Sequence, residues 1–215
     1  MPETSLAVQP YIISGIEWTL DQEFHFGIEQ AKYLEDTIEV NHFLPVKDVA
    51  IPFGADVWDF NPCFYYRSSL GFRFSFESIP EGFVVSAKYF ALMTLLNADN
   101  KVTTIYRRFQ DLKHFFKGID ACGVKRPSQL TTKDIRKYLD QYVKNHAAKS
   151  SSMMKIALFL YAQYLTVNYS FEYKIDMHLF DSYDWLTSAA AKEREANKTP
   201  NIPDDYYDQL LSVLF

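Results

Sequence analysis

The residues that could carry chemistry sit in the middle of the chain, and they are cations and hydroxyls. Lys101 to Gly118, KVTTIYRRFQDLKHFFKG, holds Arg107, Arg108, Lys113, His114 and Lys117, with Thr103 and Thr104 near its start. A second group follows at Lys149, Ser150, Ser151, Ser152 and Lys155. Lysines and arginines of this kind neutralise phosphate charge, and short hydroxyls bind phosphate oxygens. Ser150 to Ser152 would also open a helix, where free N–H groups and the backbone dipole favour an anion. An ordinary serine cap and a solvated basic face produce the same pattern, so these residues need context.

Charge distribution supplies some. The net charge of −5 argues against a nucleic-acid binder only as an average over the chain. Residues 1–100 carry five Lys and Arg against fourteen Asp and Glu, a balance of −9; residues 101–155 carry thirteen against four, +9; residues 156–215 carry four against nine, −5. Segregation of this kind gives a local positive field that attracts a polyanion.

The elements that position these groups are mostly helices. Ile105, Phe109, Leu112, Phe116 and Ile119 recur at spacings of three and four, which puts them on one core-facing side of a helix with the cations mostly opposite. Before it, Ser78-Ile79-Pro80-Glu81 fits a capping box with proline in the first turn. The helix that follows has a stripe of Val85, Tyr89, Leu92 and Leu96, with Lys88 expected on the opposite side. Thr131 to Asp134 gives another capping box, and Ile135, Tyr138, Leu139, Tyr142 and Val143 define a third amphipathic helix. A fourth runs from near Ser150 to about Asn168; it is apolar on nearly every side and therefore central.

The front of the chain reads differently. Thr37 to Pro52 is rich in β-branched residues and broken by Pro45 and Pro52, as short or edge strands are. Leu70 to Phe76, LGFRFSF, alternates with the period of a half-buried strand. Phe24 to Glu39 reads as one helix. Trp58, Phe60, Phe64, Tyr65 and Tyr66 read as core aromatics in preference to a base-stacking surface. These features predict a small mixed α/β domain over residues 1–76, a helical bundle over 77–187, and a linker with the start of a further helix over 188–215, where SAAAKEREANKTPN precedes IPDDYYDQLLSVLF.

With 48 percent apolar residues the chain can build a packed core. MPETSLAVQPYII lacks the basic region of a secretory signal, and no apolar run approaches the roughly 18 residues of a membrane span, so a cytoplasmic protein with no membrane partner is expected. Cys63 and Cys122 form no CxxC pair and read as two buried thiols.

The order of the pieces resembles the N-terminal half of tyrosine recombinases, the phage-integrase and transposon-recombinase family. The Lys88-Tyr89 helix, KVTTIYRRFQDLKHFFKG, the LTTKDIRKYL start of the third helix and the serine-led fourth helix are similar to that family's core-binding domain. The ending TPNIPDDYYDQLL is similar to its linker and the opening helix of its catalytic domain. VWDF followed by FRFSFESIP looks closer to the transposon-borne members. The resemblance covers roughly residues 78–215, and no single phrase is diagnostic.

It implies a mainly α fold, a SAM-like bundle of four or five helices, forming half of a clamp on double-stranded DNA beside other recombinase protomers, without a small-molecule cofactor. The implied contacts are Lys88, Lys101, Thr103, Thr104, Arg107, Arg108, Lys149, Ser150, Ser151 and Lys155. The family's cutting chemistry needs an arginine, a His-x-x-Arg pair and a tyrosine nucleophile. The five histidines open HFGI, HFLP, HFFK, HAAK and HLFD, none with arginine three residues on. Tyr206 and Tyr207 have no such constellation beside them and read as packing residues. DNA binding without cleavage is expected, as the front part of a longer enzyme. The rival readings are a helical protein-interaction module, and an enzyme built on Asp56, Asp59 and His42, whose spacing matches no recognisable reaction.

Overall fold

The computed structural model describes residues 12–13, 16–17, 22–26, 48–63, 73–97, 102–168 and 175–197. Short strands come first: β1 (Ile12–Ile13), β2 (Ile16–Glu17), β3 (Glu23–Phe26), β4 (Val49–Pro52), β5 (Val57–Asp59) and β6 (Arg73–Ser75). Five helices follow: α1 (Glu81–Asn97), α2 (Val102–Ala121), α3 (Thr132–Asn145), α4 (Ala148–Asn168) and α5 (Trp185–Ala196). Three antiparallel pairs join the strands, β1 with β2, β3 with β4, and β5 with β6. The molecule is mainly helical, with a small strand part ahead of the bundle.

Period-two patterning explains the strands. In β3 the aromatic rings of Phe24 and Phe26 are buried while Glu23 and His25 are exposed, and Phe24 lies opposite Ile51 of β4. The helix predicted from Phe24 therefore does not begin there: Glu-Phe-His-Phe alternates, and a strand buries both phenylalanines on one face where a helix would divide them. The rest of that span, residues 27–39, lies outside the described residues. Phe74 of β6 is buried opposite Trp58 of β5, as the LGFRFSF alternation predicts.

The boundary expected at residue 76 is not a break in packing. Trp58 lies edge-on to Phe76 at 4.7 Å between centroids, Phe76 contacts Phe109 of α2 at 5.1 Å, and Phe53 meets Tyr89 of α1 at 4.8 Å. Trp58 Nε1 donates to the Phe53 carbonyl, so its one polar atom is satisfied inside the aromatic cluster. Strand part and bundle share one hydrophobic core. Trp58 and Phe60 belong to it as expected, while Phe64, Tyr65 and Tyr66 lie outside the described residues.

Within the bundle the apolar spacing of α2 is obeyed: Ile105, Phe109, Leu112, Phe116 and Ile119 are all buried. α3 starts at the expected box, Thr131 accepting from the Asp134 N–H while the Asp134 carboxylate accepts from the Thr131 N–H. Gly118 of α2 permits the close approach of α3, since a Cβ there would stand 2.7 Å from the Tyr138 ring. α4 packs against α2, α3 and α5 and is central. Its Tyr161 hydroxyl lies 2.9 Å from the buried Ser86 hydroxyl of α1, which keeps both polar atoms satisfied in the core. Cys122 is exposed, against expectation, because it follows the last turn of α2. No helix among the described residues is long and apolar enough to cross a membrane.

Candidate nucleic-acid interface

The cations picked out from the sequence separate into groups once their surroundings are known. Lys88 is not on the outer side of α1. It is 3 percent exposed, its Nζ donates to the Gly54 carbonyl at 2.7 Å, and it lies 5.4 Å from the centre of the Phe76 ring. Burial lowers its pKa, partly offset by the Asp56 charge. Lys88 thus ties α1 to the turn after β4, and a side chain enclosed by the strand part cannot touch a ligand on the bundle's surface. Lys113 behaves similarly, donating to the Ser75 carbonyl at 2.9 Å.

On α2, Arg107 Nε stands 3.4 Å from Asp111 Oδ1 one turn on. The arginine is 57 percent exposed and the carboxylate 4 percent. Burial raises the Asp111 pKa, with Arg107 and His114 pulling it back. Its second oxygen, Oδ2, is buried without a hydrogen-bond partner among the described residues. Arg108 is half-buried, burial lowers its pKa, and its buried Nε likewise has no acceptor among them. A guanidinium cannot lose its proton under ordinary conditions, so Arg108 carries a charge that no described residue offsets. Thr104 is half-buried one turn before it. Lys101 and the side chain of Thr103 lie outside the described residues.

The start of α4 departs most from expectation. Its first turn already holds an anion: the Lys149 N–H donates to Glu193 Oε2 of α5 at 2.9 Å. A phosphate bound there would have to displace this carboxylate from the site the helix dipole makes favourable. Ser151 is fully buried, with Oγ facing the His146 carbonyl at 3.4 Å. Lys155 Nζ is paired with Asp184 at 2.5 Å and its side chain is only 12 percent exposed. Of the residues expected on this helix, Lys149 is exposed and Ser150 half-buried. Outward from Lys149 the helix becomes apolar: Ile156 is 37 percent exposed, Phe159 36 percent and Val167 71 percent.

Sequence reasoning passed over α3. Lys133, Arg136, Lys137 and Lys144 are all exposed and fall on one side of this helix, opposite buried Ile135 and Leu139. No ion pair within 4.0 Å engages any of the four among the described residues. The acid on the same side, Asp140, accepts the Tyr183 hydroxyl at 2.6 Å. Burial, and after it that bond, raise the Tyr183 pKa, so the phenol stays a donor. The sequence signal was present: three cations at offsets of three, four and eleven from Lys133, opposite the apolar stripe already recognised.

Aromatic clefts flank this row. On one side a cavity of about 390 Å³ is lined by Lys137, Tyr138, Gln141, Tyr142 and Asn145 of α3 and by His146 just after it, with Gly118 and Cys122 across from them. The His146 ring stacks on Tyr142 at 3.8 Å and 3°. Tyr138 and Tyr142 are also close to parallel, 6.0 Å apart at 26°. On the other side a cleft of about 340 Å³ lies between Arg136, Asp140 and Lys144 of α3 and Tyr183 and Trp185. Trp185 is 54 percent exposed.

No protein-family model, curated protein or solved structure matches this chain.

Proposed function

We propose that this chain is a DNA-holding helical bundle of the tyrosine-recombinase kind, gripping a duplex through the first turns of α2 without cutting it. The observation that carries this reading is Arg108, a charge half-buried in the bundle with no acceptor for its Nε among the described residues. Nε itself is enclosed, so a phosphate oxygen would approach the outer Nη groups of the same guanidinium, and a charge-assisted bond of that type is stronger than a neutral one. Thr104 and Arg107 lie within one turn of it, inside the segment whose balance is +9. In this reading the strand part acts as a brace, holding α1 and α2 through Lys88 and Lys113. Other protomers of the same kind would complete the clamp around the duplex. No step of bond cleavage is assigned to this chain.

Anisotropy titration of a labelled duplex tests the reading. With about five phosphates neutralised, the slope of log affinity against log salt should be roughly −4 to −5. Replacing Arg107 and Arg108 together by alanine should weaken binding about tenfold or more at low salt. Salt-independent binding, or an unchanged affinity in the double variant, would remove the proposal.

One observation favours a second reading, a protein-interaction module. Ile156, Phe159 and Val167 form an exposed apolar row on α4, which suits a protein surface better than a phosphate backbone. High salt separates the two, because it dissolves a phosphate contact and leaves an apolar interface intact.

A further inference from the structure

We infer that the outer side of α3 binds single-stranded nucleic acid, with its phosphates along Lys133, Arg136, Lys137 and Lys144 and its bases in the aromatic clefts on either flank. This site lies on a different helix from the duplex grip proposed above, takes a different form of the polymer, and does not depend on it.

The first part of the argument is charge. Four cations on α1, α2 and α4 already have partners: Lys88 and Lys113 hold backbone carbonyls, Arg107 holds Asp111, and Lys155 holds Asp184, while Arg108, Lys117 and Lys149 are spread over two helices without an ion pair among the described residues. The four on α3 have no ion-pair partner among the described residues, and Asp140 in their midst accepts only from the neutral Tyr183 hydroxyl, so the row sets four cations against one carboxylate. Asp134, at the near end of the larger cleft, is occupied by the Thr131 N–H and hydroxyl. From Lys133 to Lys144 the row spans about 16 Å at the α-helical rise, enough for a few successive phosphates.

The second part is what stands beside the charges. An acidic peptide would use the cations and leave the rings idle. A duplex would do the same, because its bases are paired and stacked within the helix. Only a strand with unpaired bases uses both, since every base has a face that stacks on an aromatic ring and a backbone that tracks a cationic groove. Trp185 offers an exposed ring beside Arg136 and Lys144. Across the row, Tyr142 and His146 already form a two-ring stack that a base can extend, and Gln141 and Asn145 place amides where base edges would lie. The larger cleft, about 390 Å³, is in the size range of small-molecule sites and accepts one base.

The test uses the whole 215-residue chain and a labelled mixed-sequence oligodeoxynucleotide of about twelve nucleotides, read by anisotropy. Binding should appear at low ionic strength with a log–log salt slope of about −3, as four single-strand contacts require. Lys137→Glu with Lys144→Glu should weaken it by well over tenfold, and Trp185→Ala and His146→Ala by about tenfold each. Far-ultraviolet circular dichroism should be unchanged, since all four side chains are exposed. Arg107→Ala with Arg108→Ala should leave this binding within about twofold while weakening duplex binding about tenfold or more, which separates failure of one proposal from failure of the other. The inference is overturned if no oligonucleotide binding is seen at low salt, if the α3 charge reversals leave it intact, or if the cation variants lose it and neither ring variant does. Equal competition by unlabelled duplex or by polyglutamate also overturns it, because the surface would then read charge alone.

Discussion

α2 and α3 are both amphipathic helices with cations opposite an apolar stripe, yet the fold treats those cations in opposite ways. α2 is wedged between the strand part and the rest of the bundle. Lys113 reaches the Ser75 carbonyl, Arg107 lies along Asp111, and Arg108 is half-enclosed. α3 lies at the edge, and its four outward cations are exposed with no ion pair among the described residues. Positive residues in a sequence are therefore not the same quantity as positive field at a surface. What decides is whether tertiary packing brings an acceptor within reach, and that depends on where the helix sits.

The hardest blow to this contrast would come from Lys88, the cation most fully taken into the fold. Lys88→Ala removes the donor to Gly54 and the packing of its stem against Phe76. Loss of a buried partner together with the cavity left behind should cost about 2–4 kcal/mol. Urea unfolding should show it as a lower midpoint with unchanged slope, and nucleic-acid affinity of the folded fraction should stay the same. An affinity loss without a stability loss would place Lys88 among the binding residues after all.

Asp111→Asn probes the middle of the comparison, since it converts Arg107 from a compensated cation into a free one. Duplex affinity should rise about two- to fivefold, the worth of one partly screened charge. The pH dependence has a definite sign. Burial raises the Asp111 pKa above its unfolded value, so the native state binds the proton more tightly. Its contribution to stability is fully present below the unfolded pKa and is lost as pH rises through the raised folded value. Unfolding curves should show that decline in the natural chain, and the asparagine variant should lack it.

Much of the helical part was legible because local rules and tertiary packing agree there. The Thr131–Asp134 box and the stripe from Ile105 to Ile119 are short-range patterns, and the fold leaves both in place. The strand-bearing front was half legible: β6 follows its alternation, whereas β3 was read with the wrong period because only four residues show it. The binding residues were the least legible. Nothing in the spacing of Lys149 to Lys155 announces that Glu193, 44 residues on, will occupy that helix start or that Asp184, 29 residues on, will pair with Lys155. Nor does Lys88 reveal that Gly54 stands opposite, since the partner comes from a different element. The row on α3 needed no tertiary knowledge, only the same helical count applied to its charges instead of its apolar residues.

The smallest effects are the most exacting test of the contrast. Lys133→Ala, Lys137→Ala and Lys144→Ala should each change stability by less than about 0.5 kcal/mol, because an exposed side chain without a partner loses almost nothing on truncation. Lys155→Ala offers the matched control, a cation whose own side chain is largely buried while Asp184 is 73 percent exposed. A pair with one partner so open to solvent should contribute up to about 1 kcal/mol. Thermal melts can rank the four variants directly. Should an α3 lysine prove as costly as Lys155, it must be neutralised within the folded chain. The field attributed to that helix would then be weaker than its count of cations suggests, and α2 and α3 would differ only in degree.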